Sequence, residues 1–439
     1  MPNREIVARS LAAVWHPCTQ MKAHERFPLV PVARAEGVWL HDFEGRRYLD
    51  GVSSWWVNLF GHAHPAINAA LRDQLDTLEH VMLAGFTHAP AVELAERLSR
   101  IAPGRLGHAF FASDGASAAE IALKMAFHYW RNRGMPGKNR FVSLEGGYHG
   151  ETLGALGVTD VEIFRDAYAP LLRASLVAPF PARSHDDHRF GGIRGAVHAA
   201  DALAQLLAAH DGEIAAFIVE PLVQGASGMR FHHPEYLRRA RELCTRHGVL
   251  LIADEIMTGF GRTGTMFACE QAGVAPDLLC LSKGITGGYL PLSCVLSSDE
   301  IYGAFYDDDT ARGFLHSHSY SGNALACRAA CAVLDLFESG RVIEANERKA
   351  ARFFAMAQPL AHHPGVRDFR HLGMIWAFEV GTQDPAFAAR AFALALERGV
   401  LLRPIGKTVY FMPPYVVDDD QFAQLVDTGM AIVEAFAHA

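Results

Sequence analysis

The sequence predicts an α/β protein: a large domain with a mostly parallel central sheet covered by helices, and a smaller α+β domain. Three observations lead there. Short apolar runs alternate with helical patterns through the middle of the chain, as in a parallel sheet covered on both faces. The 439 residues are about three times a usual domain of ~150, a length that one large sheet with attachments accommodates. Towards the C-terminus the pattern changes to short strands between two amphipathic helices.

The elements follow in order. Val38–His41, then Asp42, Glu44 and Gly45, reads as a hairpin. Apolar runs at His108–Ala112, Arg140–Leu144, Ile214–Val219, Val249–Ala253, Leu278–Leu281 and Leu292–Leu296 are the candidate strands of the large sheet. The run ASAAEIALKMAFHYW after the first of them places Ala118, Ile121, Ala122, Met125 and Tyr129 on one helical face. Later strands are expected at Met374–Val380, Val400–Arg403 and Thr408–Met412, with helices at Pro385–Arg398 and Asp419–Phe436. Residues 61–329 should form the large domain. Residues 330–439 should form the small one, with 1–60 joining it.

Composition narrows the class of function. Half of the residues are hydrophobic and 20% are charged, which excludes a disordered or fibrous chain. The net charge of −8 disfavours nucleic acid and anionic membranes. No uncharged apolar run approaches the ~18 residues of a membrane span. Arg4, Glu5 and Arg9 argue against a secretory leader. Seven cysteines without a C-x-x-C read as free thiols of a reducing cytoplasm.

Asp254 and Lys283 are the most informative pair. Asp254 ends the apolar run GVLLIADEI, where open α/β sheets bind ligands. Lys283 lies between the strand LLCL and a Gly-rich turn. Burial there favours a neutral amine, which can attack an aldehyde. Singly, each also reads as a solvated charge at a strand end. Together they meet the needs of pyridoxal phosphate: a lysine for its aldehyde and a carboxylate for its pyridine nitrogen. Ser113-Asp-Gly-Ala-Ser117 joins a strand to the long helix and can hold a phosphate on its N–H groups; a plain N-cap by Ser113 or Ser117 is the other reading. Tyr148, in Gly146-Gly-Tyr-His-Gly150, can stack on a flat ring or sit on a surface loop.

Other motifs read less sharply. Gly259-Phe-Gly-Arg-Thr-Gly264 matches a dinucleotide fingerprint, but Asp254 and Glu255 would repel a pyrophosphate and no helix starts at the third glycine. Gly61-His-Ala-His64, His185-Asp-Asp-His188 and His316-Ser-His318 lack metal-site spacing, so no metal is expected. Of Trp55 and Trp56, one at most lines a given pocket if the chain is extended there. Arg403, ending the strand GVLLRP, is a carboxylate clamp or a structural ion pair.

These motifs, in this order, resemble the class III (ω-type) aminotransferases, which have fold type I and use pyridoxal 5′-phosphate. The marks are Gly146-Tyr148-His149-Gly150, Glu220-Pro221, Ala253-Asp254-Glu255, Thr258-Gly259-Phe260-Gly261-Arg262, Ser282-Lys283 and Gly322-Asn323. A further set is similar to the branch acting in biotin synthesis: Trp15-His16-Pro17, Ser53-Ser-Trp-Trp56, His80-Val-Met82, Thr87-His-Ala-Pro90, Val223-Gln-Gly225 and Arg403-Pro-Ile-Gly-Lys407. The resemblance spans nearly the whole chain.

It implies conversion of 8-amino-7-oxononanoate to 7,8-diaminononanoate, with S-adenosyl-L-methionine as donor. Lysine as donor, or another ω-amine as substrate, are the alternatives. It implies that Lys283 holds the cofactor covalently and moves the substrate's proton, and that Asp254 pairs with the pyridine nitrogen. Gly115 and Ala116 would bind the phosphate, Tyr148 would stack on the ring, and Glu220 and Gln224 would lie near its edge. Cys18, Trp55, Tyr148, Lys283, Ser317 and Arg403 would contact substrate, Arg403 through the carboxylate. Ser317, His318 and Ser319 would come from the partner of a homodimer with shared active sites, Ser319 reaching the phosphate. The sequence departs from the family at Cys18, where tyrosine is common, and at Ala116, where serine is common. It also departs at Glu151, where aspartate is common, and at Ser317-His318-Ser319, which replaces Gly-Pro-Thr. Ser113 or Ser117 could replace the phosphate contact that Ala116 lacks.

Overall fold

The structure is a computed structural model. It describes residues 2–27, 29–182, 190 and 192–437; His185-Asp-Asp-His188 lies outside them. The chain forms two units. The smaller holds Met1–Pro65, Lys349–Phe369 and Ile375–Ala439, and the larger holds Ala66–Arg348 and Arg370–Met374. The boundary expected at residue 330 would cut the helix Ala324–Gly340. Its Ala- and Cys-rich face, including Ala326, Cys327, Ala330 and Cys331, is buried in the larger unit, so the division falls after it.

The larger unit is built on seven strands. They are β1 (His108–Ala112), β2 (Arg140–Leu144), β3 (Leu176–Ala178), β4 (Ile214–Val219), β5 (Leu250–Asp254), β6 (Leu278–Leu281) and β7 (Ser293–Ser297). Their order is β1-β7-β6-β5-β4-β2-β3. Strands β3, β2, β4, β5 and β6 are parallel; β7 runs antiparallel to both β6 and β1. Six strands thus point one way. β4, β5 and β6 are buried along their whole length, which explains why each reads as an unbroken apolar run. β3 escapes the sequence pattern because it is a three-residue edge strand.

Helix α1 (Gly115–Asn132) follows β1 and buries Ala118, Ile121, Ala122, Met125 and Tyr129, the face that the spacing predicts. Its partners include Ile218, Ile252 and Cys280 of the central strands. The sheet and α1 therefore share one apolar core. That core holds the carboxyl ends of the parallel strands in fixed register.

In the smaller unit, Trp39–Asp42 and Arg47–Asp50 form the expected hairpin, and Val32–Glu36 adds an antiparallel strand. Val400–Leu401 pairs in parallel with Arg47–Asp50. Ile375–Val380 and Thr408–Phe411 pair antiparallel. Strand Val366–Leu372, of which Val366–Phe369 belong to the smaller unit and Arg370–Leu372 to the larger, is invisible in the sequence because Arg367, Asp368, Arg370 and His371 break any apolar alternation. Helix Asp419–Phe436 starts at a capping box made by Asp418 and Gln421. Phe422 of that helix stacks on Phe353 at 4.0 Å and packs against Trp376 at 4.8 Å, the centre of this unit's core.

Candidate active site

Five segments of the larger unit leave the carboxyl ends of parallel strands, and all five carry residues that the sequence singles out. Asp254 is the last residue of β5 and stands beside Cys280 of β6 in the pairing. Lys283 lies three positions beyond Cys280. Glu220 follows β4, the loop of Tyr148 follows β2, and Ser113–Ala116 follows β1. Chain order scatters these residues over 170 positions; the parallel sheet collects them at one end.

Asp254 is buried and gripped. Its Oδ2 lies 2.7 Å from His149 Nδ1, and its Oδ1 accepts the Ile256 N–H at 3.1 Å. Both side chains of the His149–Asp254 pair are shielded from water. A carboxylate held from two sides keeps one orientation. No role for His149 follows from the sequence alone; the signal it carries there is its place in the Gly-Tyr-His-Gly motif, next to Tyr148.

Glu220 is buried as well. Its two oxygens accept the N–H groups of Tyr148 and Gly225, each at 3.0 Å. Burial pushes its carboxyl up to about 7, with Asp254 adding to the rise and His149 opposing it. Gln224 donates to Glu145 O at 3.1 Å. The Tyr148 hydroxyl donates to Glu151 at 2.9 Å. The longer glutamate at position 151 therefore reaches the phenol.

Lys283 is half-buried and has φ of +47°, a left-handed conformation that costs an L-residue about 1–2 kcal/mol. Ser282 before it is pinned by a 2.9 Å bond from its hydroxyl to Leu292 O. Desolvation pushes the Lys283 amine below its ordinary range, and Asp254 and Glu220 oppose that shift. An amine drawn towards neutrality despite two nearby carboxylates has nucleophilic character.

Asp114, rather than Ser113 or Ser117, is the N-cap of α1: its Oδ1 accepts the Ser117 N–H at 2.9 Å. The Ser117 hydroxyl is engaged with Asp114 Oδ2 at 2.8 Å. Ser113 Oγ lies 3.3 Å from His318 Nε2 of the same chain. Of the two serines, Ser117 is thus the less available to a phosphate. Gly115 and Ala116 occupy the first helical turn, whose N–H groups have no intrahelical partner. A Cβ on Gly115 would come within 3.0 Å of Ile256, and one on Gly150 within 2.5 Å of Ala116 Cβ. Gly150 also has φ of +125°. The Gly-Tyr-His-Gly turn is therefore seated directly on Ala116, a contact that neither motif announces.

The loop Gly259–Gly264 is organised by Glu255, which accepts Thr258 Oγ1 at 2.6 Å and the N–H groups of Ala268 and Cys269 at 2.9 and 2.8 Å. Ser317 and Ser319 are exposed, and His80 Nε2 lies 2.6 Å from Ser319 O.

The remaining predicted residues lie together in the smaller unit. The Arg403 guanidinium carbon stands 4.5 Å from the centre of the Trp55 ring. Arg403 Nη2 donates to Cys18 O at 3.3 Å, so Cys18 enters through its carbonyl while its thiol is exposed. No salt bridge to Arg403 occurs among the described residues, which leaves the clamp reading in place. The Trp pair corrects the extended-chain expectation. Ser53, Ser54, Trp55 and Trp56 all have positive φ, from 47 to 73°, and form one left-handed turn. Trp56 is buried, with its Nε1–H on Tyr410 OH at 3.0 Å, whereas Trp55 is 41% exposed. One ring still serves the core and the other faces solvent, but a strained turn separates them rather than strand alternation.

Comparison with known proteins shows the family. Residues 20–433 match the family model for class III aminotransferases. The chain belongs to the class III aminotransferases. This aminotransferase is 45% identical to the adenosylmethionine-8-amino-7-oxononanoate aminotransferase of Helicobacter pylori, over 97% of this chain and 96% of the relative. It is 41% identical to the protein of that name from Geobacter sulfurreducens, over 94% of each. The crystal structure of the Methanocaldococcus jannaschii protein of the same name superposes with a TM-score of 0.93 at 34% identity, covering 100% of both chains. A PLP-bound amine transaminase from an uncultivated Pseudomonas species superposes at 0.89 with 34% identity, covering 97% of this chain and 99% of that one.

Proposed function

We propose that this aminotransferase uses pyridoxal 5′-phosphate to move an amino group from S-adenosyl-L-methionine to 8-amino-7-oxononanoate, giving 7,8-diaminononanoate. The observation that carries the chemistry is Lys283, an amine held below its ordinary pKa at the sheet end that also presents Asp254. The substrate and donor rest on the names of relatives aligned over nearly the full length.

The residues fit the cofactor. Gly115 and Gly150 border Ala116 in a cradle that a Cβ would fill. The first-turn N–H groups of α1 suit a phosphate. Asp254, oriented by His149, suits a protonated ring nitrogen. Lys283 would bond the aldehyde carbon. When bound, the cofactor supplies the electron sink that allows the amine-bearing carbon to lose a proton. Lys283 Nζ is the group placed to accept that proton and return it. Glu220 fixes the Tyr148 backbone, and so the aromatic face of that loop. Arg403 binds the carboxylate of the nonanoate chain, and Trp55 keeps the guanidinium flat beneath it.

We further propose a homodimer working in the cytoplasm, with Ser317 and Ser319 serving the partner's site, whereas His318 meets Ser113 of its own chain. Leu315 and Tyr320, flanking these residues, are 79% and 64% exposed. Beside them, α1 and Gly313–His316 line a 640 Å³ cavity. Apolar surface of this kind calls for a second copy.

The test is product formation from purified enzyme, cofactor and 8-amino-7-oxononanoate, with either S-adenosyl-L-methionine or lysine. Diaminononanoate from the first donor alone is the expected result. Product from lysine alone would overturn the donor. No product from either, with turnover of other amines, would overturn the substrate.

A further inference from the structure

The left-handed turn Ser53–Trp56 is closed by two backbone bonds, Trp56 N–H to Val52 O at 2.9 Å and Val57 N–H to Ser53 O at 3.0 Å. L-residues visit this conformation singly, and four in succession do not hold it unaided. The two ends are tied into the core. The Ser53 hydroxyl donates to Met412 O at 2.7 Å, and Trp56 Nε1 to Tyr410 OH at 3.0 Å.

The middle is tied differently. Ser54 donates its N–H to Asp50 Oδ1 at 2.9 Å and its hydroxyl to Asp50 Oδ2 at 2.7 Å. The Asp50 side chain is fully buried, and His62 Nε2 lies 3.0 Å from its Oδ2. His62 is anchored in turn by backbone bonds to Gly37 in both directions, at 2.7 and 3.0 Å. A connected path therefore runs from Gly37 through His62, Asp50 and Ser54 to Trp55, the one residue of the turn that faces solvent and stacks on Arg403.

We propose that Asp50 and His62 are positioning residues for carboxylate binding. They hold Ser54 left-handed and thereby aim the Trp55 ring under the Arg403 guanidinium. The proposal rests on the reading of Trp55 and Arg403 as substrate contacts. The core does not need this clamp, because Ser53 and Trp56 already fasten the turn to Met412 and Tyr410. What Asp50 adds is the direction of the residue between them. Released from Asp50, Ser54 relaxes to negative φ and the Trp55 ring leaves the guanidinium.

The test compares Ser54→Ala, which removes one bond to Asp50 and keeps the carboxylate buried, with Asp50→Ala, Asp50→Asn and His62→Gln in the full chain. The first readout is acrylamide quenching of Trp55, taken as the difference between each protein and its Trp55→Phe counterpart. Quenching should rise in every variant, most in Asp50→Ala, which leaves the Ser54 N–H and hydroxyl without their acceptor. The second is steady-state kinetics. KM for 8-amino-7-oxononanoate should rise roughly tenfold, the equivalent of one hydrogen bond to a charged group, with kcat nearly unchanged. KM for a ketone lacking the carboxylate should stay the same. Adding Ser54→Ala to Arg403→Ala should raise KM no further.

Unchanged quenching and KM with only a lower melting temperature would make the clamp structural and overturn the proposal. Equal rises in KM for both ketones would do the same. If Arg403→Ala itself spares the carboxylated ketone, the substrate reading fails, while the quenching series still judges the clamp.

Discussion

Replacing Arg403 by alanine should separate the acid end of the substrate from its reacting end. Truncating one member of a buried charged pair costs about 2–5 kcal/mol. Arg403 is half-buried, so solvent screening places the loss near the lower figure, about 2 kcal/mol or roughly 30-fold in binding. The guanidinium also stacks 4.5 Å from the Trp55 ring centre, which contributes about 0.5–1 kcal/mol, roughly two- to fivefold. KM for 8-amino-7-oxononanoate should therefore rise by roughly 60- to 150-fold. The chemical rate should also fall, because a loosely held chain misplaces its ketone. Arg403→Lys restores the charge but neither the planar fork nor the stacking, so it should recover part of the loss. The assay is steady-state kinetics with this ketone and with an analogue that lacks the carboxylate. The analogue should be almost indifferent to the substitution. Equal damage with both ketones would refute the reasoning and make Arg403 a structural support for Trp55 and Cys18.

Three further outcomes are expected. Lys283→Ala should lower turnover by at least roughly 10²–10⁴-fold, the contribution of a positioned acid–base group, without lowering the melting temperature, since it removes a desolvated amine; residual activity close to the parent's would dismiss Lys283. Gly150→Ala places a methyl 2.5 Å from Ala116 Cβ at φ of +125°, so it should cost at least the ~1–3 kcal/mol of an overpacked core and weaken cofactor binding measured by titration; normal affinity would show that Ala116 is not part of the phosphate cradle. Burial lifts the Glu220 carboxyl from 4.5 to about 7, so its contribution to stability is complete below pH 4.5 and is lost as pH rises through 7. Cofactor-free Glu220→Gln should accordingly gain on the parent across that window in denaturant melts, and a difference constant with pH would exclude the titration.

The sheet was legible because its strands are buried on both faces. β4, β5 and β6 are apolar from end to end, and α1 repeats its apolar face at helical spacing. Those patterns are local, so they survive without the fold. Asp254 and Lys283 were legible for a related reason: a charge that ends an apolar run marks a strand end, and parallel sheets put ligands there. Strand Val366–Leu372 was not legible, because its charges mask the alternation. The helix Ala324–Gly340 shows the same limit from the other side. Its pattern is plain, but its membership in the larger unit depends on what its small residues pack against.

By itself, the sequence determined the α/β class, the order of the strands along the chain, the lysine–aspartate pair and the membership of a family. Tertiary structure alone decided the rest. It put His149 on Asp254 and seated Gly150 against Ala116. It made Asp114 the cap of α1 and wound Ser53–Trp56 left-handed. The reason is one of range. Periodicity and strand ends are written within a few neighbouring residues. The turn at Trp55 is held by a bond from Ser53 to a carbonyl 359 residues away, and no local preference of Ser-Ser-Trp-Trp would choose that conformation without it.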